Sequence, residues 1–144
     1  MKNIAIIFWS GTGNTQQMAE AIGAGATTDA TAVKVIPVDQ ASQANLAEAD
    51  AVALGCPSMG SEVLEEMEME PFVAAIAPEA LAGKPLALFG SYDWGDGQWM
   101  RDWEERMAAT SAKLIDGGLT IRSTPDADGL EQCKALGAKL AAAL

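Results

Sequence analysis

Apolar residues along this chain repeat with two alternating periods. Ile4 to Phe8 is an unbroken apolar run, which predicts a first strand from Asn3 to Trp9. Met18, Ala19 and Ile22 follow at helical spacing and predict a helix from Asn14 to Ala24, ended weakly by Gly23-Ala24-Gly25-Ala26. Val33, Val35 and Val38 predict a second strand over Ala32 to Val38, where Pro37 suggests an edge. Ser42 to Glu48 reads as a short helical connection carrying Leu46 and Ala47. Asp50 to Cys56 predicts a third strand, apolar through its middle and so buried on both faces. Pro57 to Ser61 is predicted as a loop, and Glu62 to Ala77 as an acidic helix interrupted near Pro71. After a Gly83-Lys84 turn, Pro85 to Gly90 predicts a fourth strand, Ser91 to Gly97 a Gly-rich loop and Gln98 to Ala112 a helix. Lys113 to Ile121 holds a fifth strand, split near Gly117-Gly118. Asp126 to Ala143 closes the chain as a helix, with Leu130, Leu136 and Leu140 on or near one face.

Strands alternating with helices predict an α/β layer architecture with a parallel sheet and right-handed crossovers. Residues 1–144 form one domain on this reading, long enough to bury roughly two thirds of the unfolded surface. Ligands of such folds sit beyond the carboxyl ends of the strands. The chemistry of those ends therefore decides the function.

Three strand ends are chemically distinctive. After the first come Ser10, Gly11, Thr12, Gly13, Asn14 and Thr15, running straight into a helix start. A helix N-terminus presents unpaired amides and partial positive charge, so this loop suits an anion. It lacks the Lys of a nucleotide-triphosphate loop, and its glycines do not fit GxGxxG. What remains is a set of neutral donors suited to one terminal phosphate. After the third strand come Pro57, Ser58, Met59, Gly60, Ser61 and Glu62; after the fourth, Ser91, Tyr92, Asp93, Trp94, Gly95, Asp96 and Gly97. Met59 and Trp94 can face the two sides of a planar ring, and Glu62 can accept from a ring imide N–H. A heteroaromatic bearing one phosphate would satisfy all three loops. Against this, Met59 is also an ordinary gap filler, and Trp94 an ordinary loop anchor. Trp9 can wall the phosphate loop and Tyr92 can pack beneath it. Trp99 and Trp103, at i and i+4, read as core.

Charge narrows the classes. Twenty acids against nine bases give −11, which disfavours nucleic acid and anionic membranes as partners. Apolar residues make up 49% of the chain, yet no run approaches the ~20 residues of a membrane span. No basic, cleavable leader precedes the first strand, so the expected place is the cytoplasm. The chain has no His, and Cys56 and Cys133 are far apart. They read as free thiols, with no metal site and no acid–base or nucleophilic set. A phosphatase-type Cys-x5-Arg loop is excluded because Glu62 stands where the Arg belongs. The cluster Glu62, Glu65, Glu66, Glu68 and Glu70 is either a solvated helix face or a functional rim.

The segments Trp9 to Thr15, Gly55 to Glu62 and Phe89 to Gly97 together resemble the flavodoxins, in particular the short-chain type of anaerobic bacteria. The likeness runs over essentially the whole chain. It implies a five-stranded doubly wound parallel sheet, order 2-1-3-4-5, with helices on both faces. It also implies noncovalently bound flavin mononucleotide (FMN). Ser10, Gly11, Thr12, Gly13, Asn14 and Thr15 would then hold the phosphate, and Met59 and Trp94 would flank the isoalloxazine. Glu62 would bind the ring N3–H, the backbone of Ser91, Tyr92, Asp93, Trp94 and Gly95 would reach the pyrimidine edge, and the Gly60 carbonyl would turn toward N5. Pro57 and Ser58 complete the middle loop. Two departures stand out: Asp93 where the family pattern suggests Gly, and Ser61 where it suggests an acid.

The implied function is low-potential one-electron transfer between neutral semiquinone and hydroquinone. One carboxylate ~10 Å from the ring would cost about 0.4 kcal/mol through water before screening, so several acids would lower the second potential by tens of millivolts on a scale of ~59 mV per tenfold. Partners would be larger redox enzymes with basic docking patches, met by a monomer. The alternative is a small FMN-dependent NAD(P)H/quinone reductase of the same fold, which needs an open pocket above the ring. A flavin-free interaction domain is the third reading.

Overall fold

The structure, a computed structural model, describes all residues from Met1 to Leu144. Strands β1 (Lys2–Phe8), β2 (Thr31–Pro37), β3 (Ala51–Gly55), β4 (Pro85–Tyr92), β5 (Lys113–Leu114) and β6 (Leu119–Arg122) alternate with helices α1 (Asn14–Ala26), α2 (Gln43–Glu48), α3 (Met69–Ala74), α4 (Gln98–Ala108) and α5 (Ala127–Ala142). The sheet runs β2-β1-β3-β4, and both β5 and β6 lie beside β4. Every ladder is parallel, with Ile6 opposite Val35 and Ala53, and Leu54 opposite Leu88. This is the doubly wound order 2-1-3-4-5 expected from the sequence, the fifth strand being split as Gly117-Gly118 suggested. Pro37 ends β2 at the sheet edge, where its missing N–H costs no ladder bond.

The strand period of two builds two cores. Ala5, Ile7, Val52, Leu54, Leu86 and Leu88 face α2, α3 and α4, where Trp99 and Trp103 are buried. Ile4, Ile6, Phe8, Ala51, Ala53, Ala87 and Phe89 face α1 and α5. Both faces of β3 are covered, which is why its sequence is apolar without alternation. On the second face α1 and α5 pack backbone to backbone. A Cβ at Gly137 would run into the Ile22 carbonyl, and one at Gly25 into the Lys134 carbonyl. Those glycines permit close approach of the helices, so α1 continues two residues past the predicted stop.

Three boundaries differ from expectation for physical reasons. The acidic segment is helical only over Met69–Ala74, and Pro71 stands in that helix's first turn, where its missing N–H has no intrahelical acceptor to serve. Upstream, Glu62 takes a left-handed backbone (φ 55°) and Met59 pairs antiparallel with Val63. Helix α4 stops at Ala108 because Ser111 turns left-handed at φ 61°. Strand β4 extends through Tyr92 because Ser91 and Tyr92 find partners in Ile121 and Arg122 of β6, so the third loop begins at Asp93.

Candidate functional site

All three loops leave the same edge of the sheet. In the first, Ser10 Oγ accepts from the amides of Gly13 (3.1 Å) and Gln16 (3.3 Å), and Thr12 Oγ1 from that of Asn14 (3.4 Å). Those side chains close the loop onto itself. Gly13 precedes α1 at φ 93°, a left-handed turn that glycine adopts without strain. The amides of Ser10, Gly11, Thr12 and Thr15 make no hydrogen bond within the chain. Four free donors at the start of a 13-residue helix form a neutral anion cradle.

The second and third loops meet the first in a cleft of about 250 Å³, lined by Trp9, Gly11, Thr12, Pro57, Ser58, Met59, Ser91, Tyr92, Asp93 and Trp94. Ser58 N–H donates to the Ser91 carbonyl (3.1 Å), and the buried hydroxyls of Thr15 and Ser91 share a bond of 2.8 Å. Trp94 is 49% exposed at the mouth, and its indole N–H donates to the Gly60 carbonyl at 3.2 Å. Gly60 sits at φ 51°, and space is open where a Cβ would stand. The amides of Asp93, Trp94, Gly95 and Asp96 are also free of partners within the chain. Free amides on two loops, with an indole and a thioether lining the same cleft, suit a planar, acceptor-rich ring carrying a phosphate.

Of the residues expected at the site, Thr15 is buried and its hydroxyl is turned to Ser91, so its amide rather than its side chain is free. Asn14 Oδ1 accepts from Thr124 Oγ1 at 3.1 Å. Glu62 is not among the residues that line that cleft; one carboxylate oxygen, Oε1, accepts from the amides of Gly97 (3.2 Å) and Gln98 (3.0 Å) at the start of α4, and the other makes no hydrogen bond within the chain. A Cβ at Gly95 would strike that carboxylate, so a glycine is what lets the third loop pass Glu62. Asp93 Oδ1 accepts from Ser123 Oγ at 2.9 Å. The sequence reading omitted this fourth loop, Ser123-Thr124. Its signal was two hydroxyl residues at the end of the last strand, on the edge the other three loops share.

The acids of the 60s segment are largely internal partners. Glu65 is 5% exposed and accepts from the amides of Met67, Glu68 and Met69. Glu68 accepts from the Trp9 indole at 3.2 Å. Glu70 makes a two-bond pair with Arg106, both at 2.7 Å, and the guanidinium holds its carboxyl below the usual glutamate range. Only Glu66 of the five lacks a hydrogen-bond partner in the chain.

Both cysteines are free thiols, and the structure buries both. Burial pushes Cys56 from the ordinary 9.0 up to about 12, and Cys133 up to about 11. Between pH 9 and those values the unfolded chain binds fewer protons than the folded one. Stability held below pH 9 should therefore decline as pH rises through that window. Thermal unfolding at pH 8 and pH 10.5 checks this: wild type should lose more stability between the two than a Cys56→Ala, Cys133→Ala double variant. An equal loss in both would show that the thiols play no part.

The sequence model of the flavodoxin family matches residues 6–137. A flavodoxin of Clostridium beijerinckii is 44% identical over 136 residues, covering 94% of this chain and 97% of that protein. One from Megasphaera elsdenii is 41% identical over 134 residues, covering 93% and 95%. The solution structure of the two-electron reduced Megasphaera elsdenii flavodoxin superposes with a TM-score of 0.83 at 40% identity, covering 96% of this chain and 98% of that one. A flavodoxin structure from the domain Archaea gives 0.88 at 30% identity over 98% and 97%.

Proposed function

The chain belongs to the flavodoxin family, and from that premise we propose how its own residues hold the cofactor and meet its partners. It is an FMN-binding electron carrier rather than an enzyme. Relatives matched over nearly their full length are flavodoxins, so the reductase alternative is not favoured. When bound, FMN supplies one-electron oxidation and reduction; the protein contributes position and field.

The observation that carries the reading is that unpaired amides of two loops open onto one cleft with Met59 and Trp94. On this reading the amides of Ser10, Gly11, Thr12 and Thr15, with the Ser10 and Thr12 hydroxyls and the Asn14 amide, hold the phosphate. Gly13 supplies the turn that aims them. Met59 and Trp94 flank the ring, with Pro57, Ser58, Ser91 and Tyr92 lining the space between. The free amides of Asp93, Trp94 and Gly95 bind its polar edge. Gly60 has the backbone freedom to turn its carbonyl, now held by Trp94, toward the ring. Glu62 acts by holding the third loop and the start of α4, with its second carboxylate oxygen left for the imide N–H. Asp93 adds a fixed negative charge to the cleft lining, and no Lys or Arg lines that cleft to offset it. Adding an electron that leaves a negative charge there is therefore opposed. A potentiometric titration should resolve two one-electron steps, the second well below the first. A single two-electron wave would overturn this tuning.

We place the carrier in the cytoplasm as a monomer. Two free, buried thiols suit a reducing compartment, and no helix is long and apolar enough to cross a membrane. Its partners are larger redox enzymes presenting basic patches, met by an acidic surface of a chain with net charge −11. The rate of reduction by such an enzyme should fall as ionic strength rises. A rate flat across salt would remove the steering.

A further inference from the structure

Ser58 is the third residue after β3 and is 3% exposed. Its amide is tied to the Ser91 carbonyl, and the residue is one of those that line the cleft. The serine and threonine hydroxyls around it have partners. Ser10 and Thr12 accept from loop amides, and Thr15 and Ser91 bond one another. Ser58 Oγ has none. The one other buried side-chain atom in that state is Trp103 Nε1, on α4, which lines a different cavity beside Glu70 and Arg106.

A buried hydroxyl without a partner lowers stability and calls for an explanation. Ser58 stands one position before Met59 and shares the cleft with Gly11 and Thr12. It therefore adjoins Met59, read as ring-binding, and is tied through Ser91 to Thr15 of the loop read as phosphate-binding. The stretch of FMN between ring and phosphate is a polyol chain. Serine has three staggered positions about χ1, so Oγ can turn into the cleft while the Ser91 bond holds the backbone still.

We infer that the Ser58 hydroxyl is a hydrogen-bond partner of the ribityl chain of FMN, an assignment that rests on the cofactor reading above. The empty protein carries an unsatisfied group that the bound polyol satisfies. Two opposite effects of one substitution follow. Ser58→Ala should raise the melting temperature of the cofactor-free protein, because the unpaired hydroxyl is gone. It should also weaken binding of both FMN and riboflavin by the same factor, about 5-fold. Affinity for lumiflavin, which has the ring and no ribityl chain, should stay within 2-fold.

Dissociation constants come from quenching of flavin fluorescence, and melting temperatures from circular dichroism of the cofactor-free forms. A loss shared by lumiflavin would assign the hydroxyl to the ring and overturn the inference. A loss confined to FMN would assign it to the phosphate and overturn it equally. Unchanged affinities, or a lower melting temperature for the variant, would do the same. Wild-type protein that fails to bind FMN would instead take down the cofactor reading itself, which keeps the two failures apart.

Discussion

Replacing Glu65 with alanine is expected to destabilise the fold by about 3 kcal/mol, the largest loss from any single acid in the chain. The carboxylate is buried, and it accepts from the amides of Met67 at 2.6 Å, Glu68 at 2.8 Å and Met69 at 3.0 Å. Hydrogen bonds to a charged group are worth about 1.5–3 kcal/mol each, and an orphaned buried donor costs about 1–3 kcal/mol. Met67 and Glu68 are exposed, so water can replace the carboxylate at their amides; Met69 is fully buried and cannot be served that way. Summing the three bonds would therefore overstate the effect, and about 3 kcal/mol is the defensible figure. At this chain length that corresponds to roughly 6–12 °C in melting temperature.

The loss should also spread to the cleft. Glu65 N–H donates to Cys56 Sγ at 3.3 Å, which ties the segment to the residue following β3. Glu68, the residue after Met67, holds the Trp9 indole at the wall of the cleft. Glu65→Gln keeps the shape but sets an amide group where one oxygen accepts, so it should fall between alanine and wild type. Urea unfolding of the three proteins is the measurement. An alanine variant within 0.5 kcal/mol of wild type would mean that the carboxylate does not organise this segment.

Glu65 also marks where sequence reading stops. The period-two strands, the two apolar helix patterns and the loop Ser10 to Thr15 were legible because burial and helix-start chemistry leave local signatures. The acids from Glu62 to Glu70 were not legible, because a glutamate on a solvated face and a glutamate capping backbone amides look alike in one dimension. What separates them is a backbone that departs from helix at Glu62, a left-handed residue that is not glycine. Trp9 with Glu68 spans 59 positions, and Asn14 with Thr124 spans 110. Neither partner carries any mark of the other in its local sequence. Glu62 is read as facing a ligand, and nothing in its local sequence shows that its Oε1 also accepts from the amides that start α4.

Riboflavin should bind about 1,000-fold more weakly than FMN, a difference of about 4 kcal/mol. The unpaired amides of Ser10, Gly11, Thr12 and Thr15 would each bond a phosphate oxygen in FMN, and would face water in the riboflavin complex. Hydrogen bonds to a charged acceptor contribute about 1.5–3 kcal/mol apiece, and dehydrating the phosphate offsets a large part of the total. The sign of the salt dependence is more telling than the ratio. Residues 9–15 contain no Lys or Arg, and the protein carries −11 overall. The mean field therefore opposes an incoming phosphate, and salt screens that opposition. FMN affinity should rise with ionic strength while riboflavin affinity stays nearly level. A cradle built on cations behaves the other way, losing affinity as salt rises. If added salt weakens FMN binding, the phosphate is held by a positive charge after all. The first residue to test would then be Arg122, which makes no ion pair and lies two positions before the Thr124 that bonds Asn14.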